Sequence, residues 1–184
     1  MKYCCECGAA VALSKPRGKA LGRYVCTNCR RIYYHSPRLV AGCIATSDDR
    51  VLLCQRGVEP GYGLWNLPSG FVEMSEGALG GAAREALEEA NAAVDVERLY
   101  ALFHIPHINQ TLLVFLARLP DVHVIPGPET LAVKLFEEAE VPWEEIAFAT
   151  TRTALQRYFE DRRSGTYGFH FAEIVPFDPW SESM

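Results

Sequence analysis

Two C-x2-C pairs, Cys4–Cys7 and Cys26–Cys29, constrain the fold of this chain more than any other feature. A C-x2-C turn brings two thiolates within reach of one ion, and two such turns close a tetrahedron around it. Four thiolates leave no open coordination position, so the ion they hold would be a structural Zn2+. It would give shape to a segment of ~35 residues that has few large apolar side chains of its own. Cys5 falls between two ligands and reads as a bystander.

Five of the seven cysteines precede residue 30, in a chain of 184 residues that is 49% hydrophobic and 22% charged. Such a chain can bury a core without disulfide staples, and in the cytoplasmic setting expected here the clustering speaks for metal binding more than for disulfides. No apolar run approaches the ~18–20 residues needed to cross a bilayer. The opening Met1-Lys2-Tyr3-Cys4-Cys5 lacks the apolar stretch of a secretory signal, and no membrane association is expected. The net charge of -5 hides an asymmetry. Residues 1–38 carry Lys2, Lys15, Arg17, Lys19, Arg23, Arg30, Arg31 and Arg38 against Glu6 alone, and nearly all the acidic residues come later. The chain therefore divides into a small basic module, 1–35, and an acidic body, 36–184. The basic charge has three readings: a nucleic-acid patch, an attractor for anionic substrate, or a solvated face.

In the body, residues 38–46 and 50–56 read as a strand pair turned by Ser47-Asp48-Asp49, with Cys43 and Cys54 as core thiols. Residues 57–63 form a loop and 64–68 a short extended stretch. A helix is expected over 75–90, with Ser75 as N-cap and Glu76 in its first turn. Strands follow at 94–105, 111–119 and 131–136, then a short helix at 142–146 and a last helix over 150–163 that stops near Gly165. Hairpins mixed with separated helices imply an α+β fold of α/β/α layers.

If 75–90 is helical, Glu85, Glu88 and Glu89 are related by i+3 and i+4 and project from one face, about 5–6 Å apart at Cβ. Three like charges so placed repel one another, and a divalent cation removes the repulsion; carboxylates with water and phosphate oxygens are the ligands Mg2+ prefers. A run of Glu is otherwise a solvated face. The register decides between the two. Gly70, Glu76, Arg84, Glu85, Glu88 and Glu89 fall on the fixed positions of a stretch that resembles the Nudix box, G-x5-E-x7-R-E-U-x-E-E-x-G-U, where U is apolar. Six chance matches would occur on the order of one time in ten million per starting position. Asn91 stands in place of the final Gly of the box, Ala86 is a small U residue that implies tight packing, and Ser69 stands where Gly often precedes the box.

The resemblance extends over nearly the whole chain. Cys4 to Cys29, Tyr33 to Gly42, Tyr62 to Pro68, Pro126-Gly127-Pro128-Glu129-Thr130 and Trp143 to Phe148 look like a Nudix subgroup with an N-terminal zinc ribbon, which includes FAD and ADP-ribose pyrophosphatases. The resemblance implies an α/β/α sandwich with a mixed sheet and Mg2+- or Mn2+-dependent hydrolysis of a nucleoside diphosphate linked to another group. It implies that Glu85, Glu88 and Glu89, with the Gly70 carbonyl, hold the cation, with Glu85 also a candidate base. Arg84 would orient Glu85 by a charged hydrogen bond, and Glu76 would be structural. Glu129 would add a metal ligand or a base from its loop, with Glu137-Glu138 as the competing pair. The implied partner is a small nucleotide-diphosphate substrate, and the implied assembly a homodimer.

Competing readings remain at this point. NADH pyrophosphatases also carry a four-cysteine ribbon, but their Ser-Gln-Pro-Trp-Pro-Phe-Pro signature is absent from 93–125. A nucleic-acid-binding or regulatory protein on a Nudix scaffold would have no need of the carboxylates, so nucleic acid is not the expected partner. His104 and His107 read as pocket lining or surface. Phe103, Tyr33, Tyr34 and Trp65 read as stacking platforms for a flat ring or, more commonly for aromatics, as core.

Overall fold

A computed structural model describes residues 1–16, 18 and 21–175. Arg17 and Lys19 of the basic module, and residues 176–184 of the body, lie outside the described residues. The chain divides into two compact units, with the break between Pro37 and Arg38.

The N-terminal unit is a three-stranded antiparallel sheet of β1 (Val11–Ser14), β2 (Arg23–Cys26) and β3 (Ile32–Tyr33), in that order. Each C-x2-C pair bends through a residue with positive φ just beyond it, Gly8 at 71° and Arg30 at 64°. The turns are closed by the Gly8 N–H on the Cys4 carbonyl and the Cys26 N–H on the Arg31 carbonyl, both at 2.9 Å.

The larger unit is organised by β4 (Arg38–Ser47), which pairs with three strands. Its C-terminal end forms a hairpin with β5 (Arg50–Arg56), turned tightly by Asp48 at φ 51°. β6 (Trp65–Asn66) returns along β5, and β7 (Ser69–Phe71) pairs antiparallel with the N-terminal half of β4. After α1 (Ala78–Ala90), β8 (Asp95–Ile105) and β9 (Gln110–Arg118) form a long hairpin, and β9 runs parallel to β4 over nine residue pairs. β10 (Thr130–Phe136) adds to the far side of β5. α2 (Ala149–Ser164) ends at Gly165 in the left-handed conformation, and β11 (His170–Glu173) closes the other edge, parallel to β8. The sheet is mixed, in the order β10-β5-β4-β9-β8-β11.

Strand alternation sends residues to two cores, one under each helix. Ile44, Val51, Leu53, Phe103, Leu112 and Val114 pack with Leu155, Tyr158 and Phe159 of α2. Ala41, Cys43, Ala45, Leu52 and Cys54 pack with Ala82, Ala86 and Ala90 of α1. Small residues on both sides of this second core let α1 lie close to β4, as Ala86 implied. Cys43 and Cys54 are buried core thiols, and burial pushes Cys43 up to about 12.

Two expectations need correction. The first helix begins at Ala78 and is capped by Gly77, not by Ser75. Ser75 adopts φ 68°, incompatible with the extended backbone of an N-cap, because Glu76 is held in the preceding loop. Residues 142–146 form only a 3-10 turn, Trp143–Glu145. β11 and the ribbon strands carry no pattern that sequence reading found.

Candidate active site

β7 is three residues long, but it sets one wall of the site. Gly70 stands opposite Ala41 of β4, and a Cβ at Gly70 would collide with the carboxylate of Glu85 on α1. Glycine is what lets the helix bring that carboxylate against the strand backbone. The loop from Val72 to Gly77 then leads into α1. Its shape is held by Glu76, whose carboxylate accepts the Glu73 N–H at 3.0 Å and Arg84 Nε at 2.8 Å.

Arg84 is the hub. Beyond Glu76, its guanidinium donates to the Phe71 carbonyl at 2.9 Å and to Glu85 and Glu88 at 2.8 Å each, the last two from the same nitrogen. One side chain thus ties β7, the loop and the helix together, and its planar fork suits this better than an ammonium would. Arg84 holds the Glu76 carboxyl below the usual carboxylate range. Burial pushes Glu85 up, against the opposing pull of Arg84.

Glu89 lies deeper. Burial, with Glu85 adding repulsion, pushes its carboxyl up to about 8, although Arg56, the Ser69 N–H and the Cys54 thiol all favour the charged form. Glu88 is exposed on the outer side, 57% by side chain. The structure therefore sets Glu85 beside Gly70, Glu89 beneath it near Ser69, and Glu88 toward solvent. The donor set is all oxygen and carries charge that the protein alone leaves poorly compensated, which fits a hard divalent cation. The three carboxylates do not form one tight group: Glu85 and Glu88 share one Arg84 nitrogen, and Glu89 is buried behind them.

Glu129 belongs to a loop seated on the last turn of α1. The Gly127 N–H donates to the Glu89 carbonyl at 3.0 Å, and a Cβ at Gly127 would strike the Glu88 carbonyl. Asn91 ends the helix at φ 49° and donates from its side chain to the Ile125 carbonyl. The Glu129 carbonyl accepts the Gly57 N–H at 2.8 Å, and its side chain is exposed. Glu137 and Glu138 are engaged elsewhere, Glu137 in a capping box and Glu138 with Arg162 and Arg163.

Sequence reading missed Arg56. It stacks on Phe148 at 5.1 Å, donates to the Pro60 carbonyl and lends positive charge to Glu89. Nothing in the local sequence signals this, because strand pairing and the loop create the relationship. His104 is on β8 with Nδ1 3.1 Å from the Thr111 hydroxyl, and His107 is exposed on a 3-10 turn. Phe103 and Trp65 belong to the core, Tyr34 is exposed, and the Tyr33 hydroxyl donates to Cys4 Sγ at 2.9 Å.

In the N-terminal unit, Cys4, Cys7, Cys26 and Cys29 place all four sulfurs within 4.8 Å of one another. The Cys4–Cys29 and Cys7–Cys26 separations are 3.6 and 3.5 Å, close to the ~3.8 Å that a tetrahedron of Zn–S bonds near 2.3 Å requires. The Tyr33 hydrogen bond brings the Cys4 thiol down to about 6, whereas Cys29, against the pull of the Arg31 N–H, is pushed up to about 12 by Cys26, burial and Cys4. Cys5 stays exposed.

Comparison with known proteins matches this architecture. The family model described as NUDIX domain covers residues 36–169, and the one described as Nudix N-terminal, a zinc ribbon, covers residues 2–35. A crystal structure of a NUDIX hydrolase from Nitrosomonas europaea superposes with a TM-score of 0.92 at 46% identity, over 95% of this chain and 99% of that one. An ADP-ribose pyrophosphatase from Streptococcus suis shares the fold, with a TM-score of 0.58 at 24% identity over 74% of this chain and 100% of that one. The NAD-capped RNA hydrolase NudC of an Enterobacter species is 29% identical over 160 residues, 74% of this chain and 59% of that protein. The chain thus spans about three-fifths of the length of the curated relatives it matches. With the box on β7 and α1, the layered mixed sheet and the cysteine quartet all in place, the chain belongs to the Nudix hydrolase family and carries its N-terminal zinc ribbon.

Proposed function

We propose that the protein hydrolyses the diphosphate bond of a nucleoside diphosphate-linked compound with Mg2+ or Mn2+, and that ADP-ribose or FAD is its preferred substrate. The observation that carries this reading is the Glu85 carboxylate seated against Gly70 and held by Arg84, with Glu89 behind it. Glu85, Glu88, Glu89 and the Gly70 carbonyl would hold the cation. Bound there, it supplies positive charge against the diphosphate and acidifies a water. Glu85, or Glu129 from its loop, takes the proton of the attacking water on a carboxylate oxygen. Arg84 fixes the rotamer of Glu85, and Arg56 steadies the charge on Glu89. Products would be AMP with ribose 5-phosphate or FMN. The ribbon zinc is structural in this reading. The enzyme is taken as a cytoplasmic homodimer, so light scattering should give twice 20.5 kDa.

The name of the curated relatives supports a second reading, cleavage of NADH or of an NAD-type RNA cap. It stands second because 93–125 lacks the Ser-Gln-Pro-Trp-Pro-Phe-Pro stretch. Specificity constants for ADP-ribose, FAD, NADH and an NAD-capped RNA separate the two. A tenfold preference for either of the last two reverses the order, and a strong preference for a nucleoside triphosphate moves the protein to another branch of the family.

A further inference from the structure

Among the described residues, the face of the sheet that α1 covers is not covered along its whole length. Ala172, Phe103, Leu112 and Val40 pack toward α2, so alternation sends their neighbours Phe171, Leu102 and Leu113 to the α1 face. Register places these three in one row with the site: Gly70 opposite Ala41, Ala41 beside Leu113, Leu113 opposite Leu102, and Leu102 beside Phe171. The next row on the same face runs Thr111, His104, Glu173. Further along β4 and β9, this face is sealed by the small residues of α1 against Cys43, Ala45, Phe115 and Ala117. Here, among the described residues, no helix lies over it: Leu102, Leu113, His104 and Thr111 are half-buried, Glu173 is exposed, and Phe171 is 63% exposed.

We infer that this strip is the subsite for the planar heterocycle at one end of the substrate, with Phe171 and Leu102 as its apolar platform and His104 as its polar reader. The inference rests on the diphosphate reading above and adds where the ring lies and what recognises it. Three strand steps of about 4.8 Å separate Gly70 from Leu102, about the reach of a nucleoside whose diphosphate lies at Glu85. The platform is continuous in register with the box strand. The Thr111 hydroxyl meets the His104 ring at Nδ1, and among the described residues no hydrogen bond engages Nε2, which would meet a ring nitrogen or carbonyl. Glu173, beside His104 in register, disfavours a further phosphate and suits an amino-bearing edge. A large apolar side chain exposed on an edge strand at this position is otherwise a liability to the fold.

The test compares His104→Ala and Phe171→Ala on whichever dinucleotide the wild-type enzyme cleaves best and on two truncated substrates. These are the methyl diphosphate esters that retain only the adenosine end or only the opposite end. Expected is at least a tenfold rise in KM with kcat nearly unchanged on the intact substrate and on the ester that keeps the recognised ring, shrinking to under threefold on the other ester. The ester that retains the penalty identifies which end occupies the strip. His104→Gln should recover part of the loss that His104→Ala shows, because it restores a hydrogen-bonding end. Melting curves within a few degrees of wild type confirm that each variant is folded. A loss of equal size on both esters, a loss confined to kcat, or no loss on the intact substrate overturns the subsite while leaving the diphosphate reading standing. Failure of the wild-type enzyme to cleave any diphosphate overturns both.

Discussion

Glu85 rests its carboxylate on the backbone of Gly70, in space that the Cβ of any other residue would fill. The helix carboxylate and the strand glycine are therefore one device, and the strand's position depends on the helix as much as the reverse. Gly70→Ala should lower kcat by at least ~100-fold, because a displacement near 1 Å of a group at the reacting centre has that order of effect. Its cost in stability should stay at about 1–3 kcal/mol, the range for overpacking. Steady-state kinetics beside a thermal melt check both numbers; a fully active Gly70→Ala enzyme would mean that Glu85 does not need its present position.

Arg84 makes five hydrogen bonds to Phe71, Glu76, Glu85 and Glu88. Lysine keeps the charge but not the fork. Arg84→Lys should lose at least ~10-fold in kcat and about 1–3 kcal/mol of stability, since several charged hydrogen bonds are broken together. Retention of both properties in the lysine variant would show that charge alone suffices.

The ribbon should carry one tightly bound zinc per chain. Metal analysis of protein purified without chelator measures it, and Cys26→Ser should abolish the zinc and loosen the N-terminal unit while the carboxylates of the larger unit remain competent for Mg2+. Disulfides among the four cysteines, or no bound metal even in freshly reduced protein, would contradict the assignment.

Much of the site was legible because it is local. Glu85, Glu88 and Glu89 are i+3 and i+4 neighbours, so their closeness on the helix could be read from spacing, while their spread from buried Glu89 to exposed Glu88 could not. The cysteine quartet was legible because two short turns preorganise each pair. What escaped was tertiary. The helix start slipped from Ser75 to Ala78 because Arg84, eight residues on from Glu76, holds that carboxylate in the loop. Arg56 reaches Glu89 only through strand pairing. β11 is four residues with no strong alternation, placed by its parallel register on β8 and by Asp161 of α2.

That last contact predicts a pH effect. Asp161 accepts from the Tyr100 hydroxyl at 2.9 Å, from the Gly168 N–H at 3.1 Å and lies 2.8 Å from His170 Nε2. Burial works to raise its pKa, but the His170, Tyr100 and Gly168 contacts outweigh it and hold the carboxyl below its ordinary value of 3.8. A depressed carboxyl stabilises the fold fully above its ordinary range, and that stabilisation is lost as pH falls through the folded value. Asp161→Asn should therefore cost about 1–3 kcal/mol at neutral pH, and the gap to wild type should close in acid. A gap that stays constant from pH 7 to pH 3 would remove Asp161 from the account.

The central claim, that the α1 carboxylates hold the cation that drives diphosphate hydrolysis, is tested most directly by kcat on the best dinucleotide substrate for the wild-type, Glu88→Gln and Glu89→Gln enzymes, with Mg2+ and after its removal by chelation. Wild-type turnover should vanish on chelation and return with Mg2+ or Mn2+, and each variant should lose at least ~100-fold, because the metals supply most of the charge stabilisation. Turnover within tenfold of wild type in both variants, or turnover that survives chelation, would contradict it.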